Sequence, residues 1–176
     1  MSVKKTSGIG SKVIRIRAKK VVKFGDQKLK KLIKDLTDTM RHDNLVGMAA
    51  PQIGQSWRVF VTEIRSTTYR KNISKEDGLR IFINPELVNC SDKQVSGYEG
   101  CGSVAAAQIF GLVRRPVKVT VKAFNEKGEK FILSASGLLA RVIQHEIDHL
   151  NGVVFIDHIK DTRKLLDRES YIKIKK

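Results

Sequence analysis

The stretch Gln144-His145-Glu146-Ile147-Asp148-His149-Leu150 decides what the rest of the chain has to build. His145 and His149 are four residues apart, and a helix of about 3.6 residues per turn directs both imidazoles to the same side. Two imidazoles on one side can hold one metal ion. Glu146 then lies beside the ion without having to bind it, which is where a general base for water belongs. The stretch therefore predicts a helix that carries a hydrolytic metal site of the HExxH type.

The residues around this stretch predict that its metal-binding face is buried. Leu138 and Val142 share one arc of the helix with the two histidines, and apolar residues continue beyond Glu146. The remaining arc is polar and holds Arg141, Gln144, Asp148 and Asn151. Ser136 is the expected N-cap, and Gly152 is expected to end the helix. The alternative is a histidine pair that shares a helix face by coincidence, although two buried imidazoles and a carboxylate need partners.

The length of the chain suits one domain with a substantial core, since it has 176 residues. We expect a single catalytic domain over residues 1–176, with residues 1–12 as a loosely held basic end. No run approaches the roughly 18 apolar residues of a membrane span, and no apolar segment follows the N-terminus. We therefore expect a soluble cytoplasmic protein without a membrane partner. The acid-free residues 1–25 leave an organelle matrix as the alternative, although their bases are mostly Lys rather than Arg.

Positive charge is concentrated at one end of the chain. The net charge is +16, and residues 1–41 alone hold 13 basic and 3 acidic residues. This charge favours a polyanionic neighbour such as RNA, and a contact with the ribosome is the partner we expect. The alternative is a solvated surface that binds nothing. Few aromatic residues and no RNA-binding signature accompany the charge, and we expect no DNA partner.

The periodicity of the remaining chain predicts an α+β fold. An amphipathic helix is expected from Gln27 to about Arg41, with Asp26 as its N-cap. Alternating or short apolar segments predict strands at Arg58–Ile64, Arg80–Asn84 (ended by Pro85), Val117–Ala123, Lys130–Ala135 and Val153–Ile156. A basic helix is expected in the tail from Asp161. These elements predict small antiparallel or mixed β-sheets packed around a central HExxH helix, with an N-terminal amphipathic helix and a C-terminal basic helix.

A third metal ligand has to come from elsewhere in the chain, because a catalytic metal ion typically has three protein ligands and one open position. Cys101 is the best candidate, since Gly100 and Gly102 on either side let its loop approach an ion closely. The alternative for an intracellular cysteine is a buried, inert thiol, and we assign Cys90 to that class. The other histidines, His42 and His158, have no partner at ligand spacing and are expected to be surface or core residues.

Three separated motifs now occur in order along the chain. They are Gly47-Met48-Ala49-Ala50-Pro51-Gln52, Glu99-Gly100-Cys101-Gly102-Ser103 and Gln144-His145-Glu146-Ile147-Asp148-His149. Together they resemble the three signatures of peptide deformylases, over a region from about Val13 to His158. The resemblance implies a metal-dependent hydrolase that removes the formyl group from N-formylmethionyl peptides of newly made proteins and releases formate.

The resemblance also implies roles for individual residues. Cys101, His145 and His149 would bind one divalent metal ion, with Fe²⁺ expected and Zn²⁺, Ni²⁺ or Co²⁺ as substitutes. Glu146 would accept a proton from the attacking water and later deliver it to the leaving amine. By similarity, the developing oxyanion would be stabilised by the Gln52 side chain and the Gly102 backbone N–H. The backbone of three further residues would pair with the peptide substrate: Val46, Gly47 and Gly100.

The chain departs from the family pattern at three positions. Leu45 stands where the first motif usually begins with Gly, and Gly102 stands where the second motif usually has Leu. Ala105 replaces a Pro that follows the second motif. These departures bear on substrate affinity and selectivity more than on metal binding. Two alternatives follow: a deformylase-like protein without activity that serves as a basic ribosome- or RNA-binding module, and an HExxH metallopeptidase that cleaves internal peptide bonds.

Overall fold

The computed structural model describes residues 2–68, 70–71, 73 and 75–174. The helices are α1 (Lys12–Arg15), α2 (Gln27–His42), α3 (Gly137–Leu150) and α4 (Arg168–Ile174). The strands are β1 (Gly47–Ala49), β2 (Val59–Ile64), β3 (Asp77–Cys90), β4 (Gln94–Gly100), β5 (Ile109–Pro116), β6 (Lys118–Phe124), β7 (Lys130–Ser136) and β8 (Leu166–Asp167). Short 3-10 helices occur at Ala50–Ile53, Ala105–Ala107, Phe155–His158 and Thr162–Lys164.

Two antiparallel sheets surround α3, which carries the HExxH sequence. The larger sheet has five strands in the order β1-β2-β3-β6-β7, and the smaller one has three in the order β4-β5-β8. Buried apolar residues of α3, including Ile143 and Leu150, pack with the stacked rings of Phe60 and Phe82 from the larger sheet. On another side of the helix, Arg141 donates to backbone carbonyls of β4 and β5. The predicted α+β arrangement around a central HExxH helix is confirmed.

The amphipathic helix α2 spans Gln27–His42, as its apolar spacing predicted. The side chain of Asp26 accepts a hydrogen bond from the Leu29 N–H at 2.7 Å, so it is the N-cap. Leu36 and Met40 are fully buried on the side that packs against β1 and β2. In the part of the chain that the structure describes, none of the helices is long and apolar enough to cross a membrane.

Strand β3 is longer than the sequence predicted. We expected Pro85 to end it, but it runs from Asp77 to Cys90. The register with β6 shifts between Ile83 and Glu86, and Asn84 between them has a φ of 51°. Proline is tolerated in a strand at such a bulge, because its missing N–H is not required by the ladder there. The prediction of a short strand was wrong because the sequence alone does not reveal the bulge.

The C-terminal part of the chain also differs from the prediction. Val153–Ile156 is not a strand, since a 3-10 helix occupies Phe155–His158. A short apolar run is buried in either conformation, so its composition cannot distinguish them. The predicted basic helix in the tail exists, but it begins at Arg168 rather than near Asp161. The short strand β8 precedes it and pairs with β5.

The N-terminal end is held along its length, in contrast to the loosely held end that we expected. Four backbone N–H groups donate to distant parts of the chain: Ser2 to Asp38 Oδ2 (2.8 Å), Lys4 to Thr39 Oγ1 (3.0 Å), Ser7 to Gln52 O (2.7 Å) and Ile9 to Ser103 O (3.0 Å). All of these acceptors lie at least 30 positions away in the sequence. Local composition therefore could not reveal them.

Candidate metal centre

The structure brings Cys101, His145 and His149 together. Their candidate ligand atoms all lie within 4.8 Å of one another, and Cys101 Sγ is 3.1 Å from His149 Nε2. Both histidines come from α3, one helical turn apart, with their ring centroids 5.0 Å apart. Cys101 directly follows β4, and its side chain and that of His149 are almost fully buried. A buried thiol and two imidazoles at this separation fit the donor set of a single divalent metal ion such as Fe²⁺ or Zn²⁺.

Glu99 holds the first histidine in a fixed orientation. Its Oε2 lies 2.9 Å from His145 Nδ1, so Nε2 is the ring nitrogen left for a metal ion. Arg115 donates two hydrogen bonds to the carboxylate, both at 2.8 Å, and Arg141 donates a third at 2.7 Å. A carboxylate that hydrogen-bonds the outer nitrogen of a histidine ligand sets its tautomer and ring position. Burial opposes ionisation of Glu99, but Arg115 and His145 hold its pKa well below the usual value.

Sequence reasoning missed this carboxylate and its two arginines. The one available signal was the position of Glu99, two residues before the candidate cysteine ligand. The helical spacing puts Arg141 and Asp148 on a polar arc of the helix, but the smaller sheet covers that arc. There Arg115 reaches Asp148 at 2.7 Å, and His158 Nε2 lies 2.8 Å from the same carboxylate oxygen. The buried charges are therefore compensated by one another across α3 and β5.

The thiol and the first imidazole influence each other's ionisation. Burial disfavours the thiolate of Cys101, yet His149 and His145 beside it bring the pKa of the thiol well below its usual value. Burial likewise disfavours the charged form of His145, but Cys101 and Glu99 raise the pKa of this imidazole well above its usual value. The two imidazoles thus favour the thiolate, the form in which cysteine binds a metal ion.

Glu146 lies beside the three donors without a fixed partner. It is buried, and among the described residues its Oε2 has no hydrogen-bond partner. Burial raises the pKa of this carboxyl to about 7. Gly47 in β1 faces it so closely that a Cβ there would lie 2.5 Å from Glu146 Oε1 and 2.6 Å from Val142 Cγ1. Only glycine allows β1 to approach the carboxylate in this way.

Gln52 is the amide that faces the donors. Its Oε1 accepts a hydrogen bond from the Ala49 N–H at 2.8 Å, and this bond directs Nε2 towards Cys101, with 3.6 Å between Nε2 and Sγ. Because the oxygen is already used, the NH₂ group is the part of the amide that faces the site. The side chain is almost fully buried, so its position is set by packing as well as by this hydrogen bond.

A cavity of about 510 Å³ opens beside the donors. Its lining includes all but one of the residues named from the sequence: Val46, Gly47, Gln52, Gly100, Cys101, Gly102, His145 and Glu146. The exception, His149, is buried behind them. Cys90, by contrast, is exposed at the end of β3, so its assignment as a buried thiol was wrong. That end of the strand extends beyond the core, which a sequence pattern does not show.

A strained turn follows the cysteine loop. Ala105, Ala106 and Ala107 have φ values of 46°, 50° and 57°, and each L-residue in this left-handed region costs about 1–2 kcal/mol. The Ala107 N–H donates to Cys101 O at 3.0 Å, and Arg168 of α4 donates to Ala107 O at 2.8 Å. The turn therefore links the C-terminal helix to the loop that carries the candidate ligand.

The buried position of Glu99 leads to a prediction about stability. We expect Glu99→Gln to lower the free energy of unfolding of the metal-free protein by about 3 kcal/mol, because Arg115 and Arg141 lose their buried counter-charge. Urea denaturation with a chelator present would measure it. The matched control is Glu86→Gln, because the Glu86 carboxylate pairs with Lys122 at the surface. This control should lower the free energy of unfolding by only about 0.5 kcal/mol. Equal losses in the two variants would contradict this account.

The fold and the site together define a class of protein. A buried thiol and two imidazoles lie beside a carboxylate and a substrate-sized cavity. This combination is that of a metal-dependent hydrolase.

Comparison with known proteins identifies the family. A family model described as polypeptide deformylase matches residues 3–165. The peptide deformylase of Natranaerobius thermophilus is 45% identical over 161 residues, which is 92% of this chain and 95% of that protein. Peptide deformylase 1 of Bacillus subtilis is 42% identical over 159 residues, 90% of this chain and 91% of that protein.

A solved structure agrees with the relatives. The class I type b peptide deformylase of Acinetobacter baumannii, crystallised with Met-Ala-Ser bound, is similar with a TM-score of 0.85 and 33% identity. The match covers 90% of this chain and 100% of that chain. The chain described here therefore belongs to the peptide deformylase family, as the resemblance of its three motifs implied.

Proposed function

We propose that Cys101, His145 and His149 bind one divalent metal ion, Fe²⁺ in the cell, and that this centre removes the formyl group from N-formylmethionyl peptides of newly made proteins. The observation that carries the proposal is the convergence of the three donors within 4.8 Å in a buried site. The products are formate and a peptide with a free N-terminal amine. The substrates are made where proteins are synthesised, which favours the cytoplasm as the location.

The proton transfers fall to Glu146. A divalent ion bound by the three donors supplies the Lewis acidity that makes water nucleophilic near neutral pH. Glu146 Oε2 has no other partner among the described residues, so it is available to accept the proton from the attacking water. The same carboxyl then delivers that proton to the amine as the formamide C–N bond breaks. Gly47 leaves free the space that the carboxylate occupies, since a Cβ at this position would lie 2.5 Å from Glu146 Oε1.

The charge on the formyl oxygen needs donors of its own. The Gln52 NH₂ group faces the site because its oxygen is already bound by the Ala49 N–H. The backbone N–H of Gly102, next to the cysteine ligand, is the second donor that we propose. Donors held in place before the reaction stabilise the developing charge without having to reorganise.

The substrate backbone pairs with the edges of the cavity. β1 is an edge strand of the larger sheet, and β4 is an edge strand of the smaller one. The cavity lining includes Gly47 of β1, the adjoining Val46 and Gly100 of β4, and we propose that the backbones of these three residues pair with the substrate. An extended peptide can add to such edges as a further strand. A similar structure was solved with Met-Ala-Ser bound, which supports formyl-Met-Ala-Ser as the test substrate.

Formate release from formyl-Met-Ala-Ser by protein loaded with Fe²⁺ or Ni²⁺ without air tests this function. Cleavage of internal peptide bonds without formate release would favour a metallopeptidase. No turnover above that of a Glu146→Ala variant would favour the inactive, RNA-binding alternative. Metal analysis of protein purified without air identifies the ion, because a thiolate with two imidazoles accepts iron, zinc, nickel and cobalt alike.

We further propose that the basic N-terminal region contacts the ribosome. Residues 1–41 carry a net +10, with 13 bases and 3 acids, and a contact made through charge must weaken as salt rises. We expect a triple variant with Gln at Lys12, Lys19 and Lys23 to sediment less with ribosomes. Its binding to ribosomes should also depend less steeply on salt concentration.

The control replaces an equal number of exposed lysines elsewhere with Gln: Lys118, Lys127 and Lys130. Binding that does not change between low and high salt would contradict a contact made through charge. Equal losses from the two triple variants would show that total charge matters rather than the N-terminal region.

A further inference from the structure

Two of the departures from the family pattern lie against each other in the structure. A Cβ built on Gly102 would be 3.5 Å from Leu45 Cδ1 and 3.6 Å from Thr6 Cγ2. Leu45 is thus in place beside the residue that has lost its side chain. Both Leu45 and Gly102 line the cavity of the candidate site.

Glycine at position 102 is not required by the backbone. Its φ lies outside the left-handed region, and a Cβ there would make only ordinary van der Waals contacts. Any atoms beyond Cβ, however, would extend towards the space that Leu45 and Thr6 occupy. Glycine therefore leaves room for Leu45, and the two positions are complementary in volume.

Leu45 is held from the opposite side of the cavity. Its N–H donates to Met40 O of α2 at 2.9 Å, and Arg65 donates to its carbonyl at 3.2 Å. Its side chain packs partly against the buried cluster of α2 and the larger sheet. A leucine in this position has a fixed backbone, so it can act as a wall of the cavity.

The course of the peptide follows from the burial of β1. Glu146 lies against Gly47, so the formyl group belongs at Gly47. Met48 and Ala49 are fully buried, which closes the path along the strand in that direction. The peptide must therefore leave the site past Val46 and Leu45. For a peptide that lies extended along this edge, the residue that follows formylmethionine would come next to the Leu45 side chain, which lines the cavity.

We propose that Leu45 is a specificity-determining residue. The family pattern usually has a Leu side chain at the position of Gly102, and here the side chain of Leu45, from the first motif, forms the apolar wall of the site instead. Leu45 and Gly102 then form one coupled pair that selects for an apolar side chain directly after formylmethionine. This inference rests on the proposed deformylase activity.

The test is a double-mutant cycle on substrate selectivity. The ratio of kcat/KM for formyl-Met-Leu-Ser to that for formyl-Met-Gly-Ser is measured for the wild type, L45A, G102L and L45A/G102L. This ratio does not depend on the fraction of active enzyme, so a loss of stability or of metal does not alter it. G102A serves as an intermediate variant, because only its Cβ is added.

We expect the wild type to prefer the leucine substrate. In L45A the ratio of the two kcat/KM values should fall by about fivefold, because the contact with the leucine side chain of the substrate is removed. G102L should raise KM for both substrates through crowding, and G102A should lie between it and the wild type. L45A/G102L should regain the preference to within about threefold, since contacting residues couple by this order. The control L87A makes the same change at an exposed position of β3 and should keep the preference.

Wild-type formate release without any preference between the two substrates would overturn the inference. The inference would also be overturned if the changes that L45A and G102L cause in the kcat/KM ratio simply multiplied in the double variant, since the two residues would then act independently. A wild type that releases no formate from either peptide would instead refute the proposed function, so the two failures are distinguishable.

Discussion

Replacing Glu146 with glutamine is expected to lower kcat for formate release by about 10³-fold. Glutamine has almost the same shape, so it fits beside Gly47, but its amide cannot accept the proton of the attacking water. Glu146 Oε2 has no hydrogen-bond partner among the described residues, so the substitution breaks no hydrogen bond with them at that atom. KM for formyl-Met-Ala-Ser and the bound metal should therefore change little. Steady-state kinetics and metal analysis of the same preparation would measure both.

The matched control for this variant is Glu126→Gln, which makes the same chemical change in the exposed turn between β6 and β7. It should leave kcat unchanged. If Glu146→Gln kept more than a tenth of the wild-type kcat while Glu126→Gln behaved as expected, Glu146 would not be the base. A parallel loss of metal would instead point to a structural role for the carboxylate.

Replacing Cys101 with alanine is expected to abolish both metal binding and activity. The loss of one of three donors should weaken metal binding by more than about 100-fold. Even the mutation of a residue that only hydrogen-bonds to a metal ligand typically lowers metal affinity by about 10- to 100-fold. Two imidazoles on one helix face then remain, without the anionic donor that completes the site. Metal content after dialysis against a weak chelator, and formate release after reloading, would measure the effect.

The chain offers a close control for this substitution, because its other cysteine is also free. Cys90→Ala removes an exposed thiol at the end of β3 and should change neither metal content nor turnover. Stoichiometric metal in Cys101→Ala would contradict the proposed ligand set. Together with Glu146→Gln, which should keep its metal, this variant separates the residue that binds the ion from the residue that moves the proton.

Several parts of the fold could be predicted because they are encoded by neighbouring residues. The apolar spacing of α2 and its Asp26 cap depend on residues within a few positions of each other, and both occur as predicted. The HExxH pattern likewise specified two imidazoles on one side of α3. The hairpin of β6 and β7 was visible as two alternating segments around a turn. In each case the residues that form the pattern are close neighbours in the sequence, so the pattern can be recognised without knowledge of the tertiary structure.

Other features could not be predicted because they depend on contacts between distant residues. Pro85 does not end β3, because a bulge against β6 accommodates it. The N-terminal end is held by acceptors in the first and second motifs, such as the carbonyl of Ser103. The exposure of Cys90 depends on where β3 leaves the core. The chain could have had the same local patterns without any of these contacts.

The site likewise combines features encoded by neighbouring residues with features that depend on distant contacts. The sequence by itself determined the donor types: a cysteine between glycines, two histidines one turn apart and the glutamate next to the first of them. Only the tertiary structure decided which groups surround them, since Glu99 and Arg115 meet α3 through the pairing of β4 with β5. It also decided that Leu45 lies against Gly102. Helical spacing is a property of adjacent residues, whereas these contacts exist only after two separate sheets have packed against one helix.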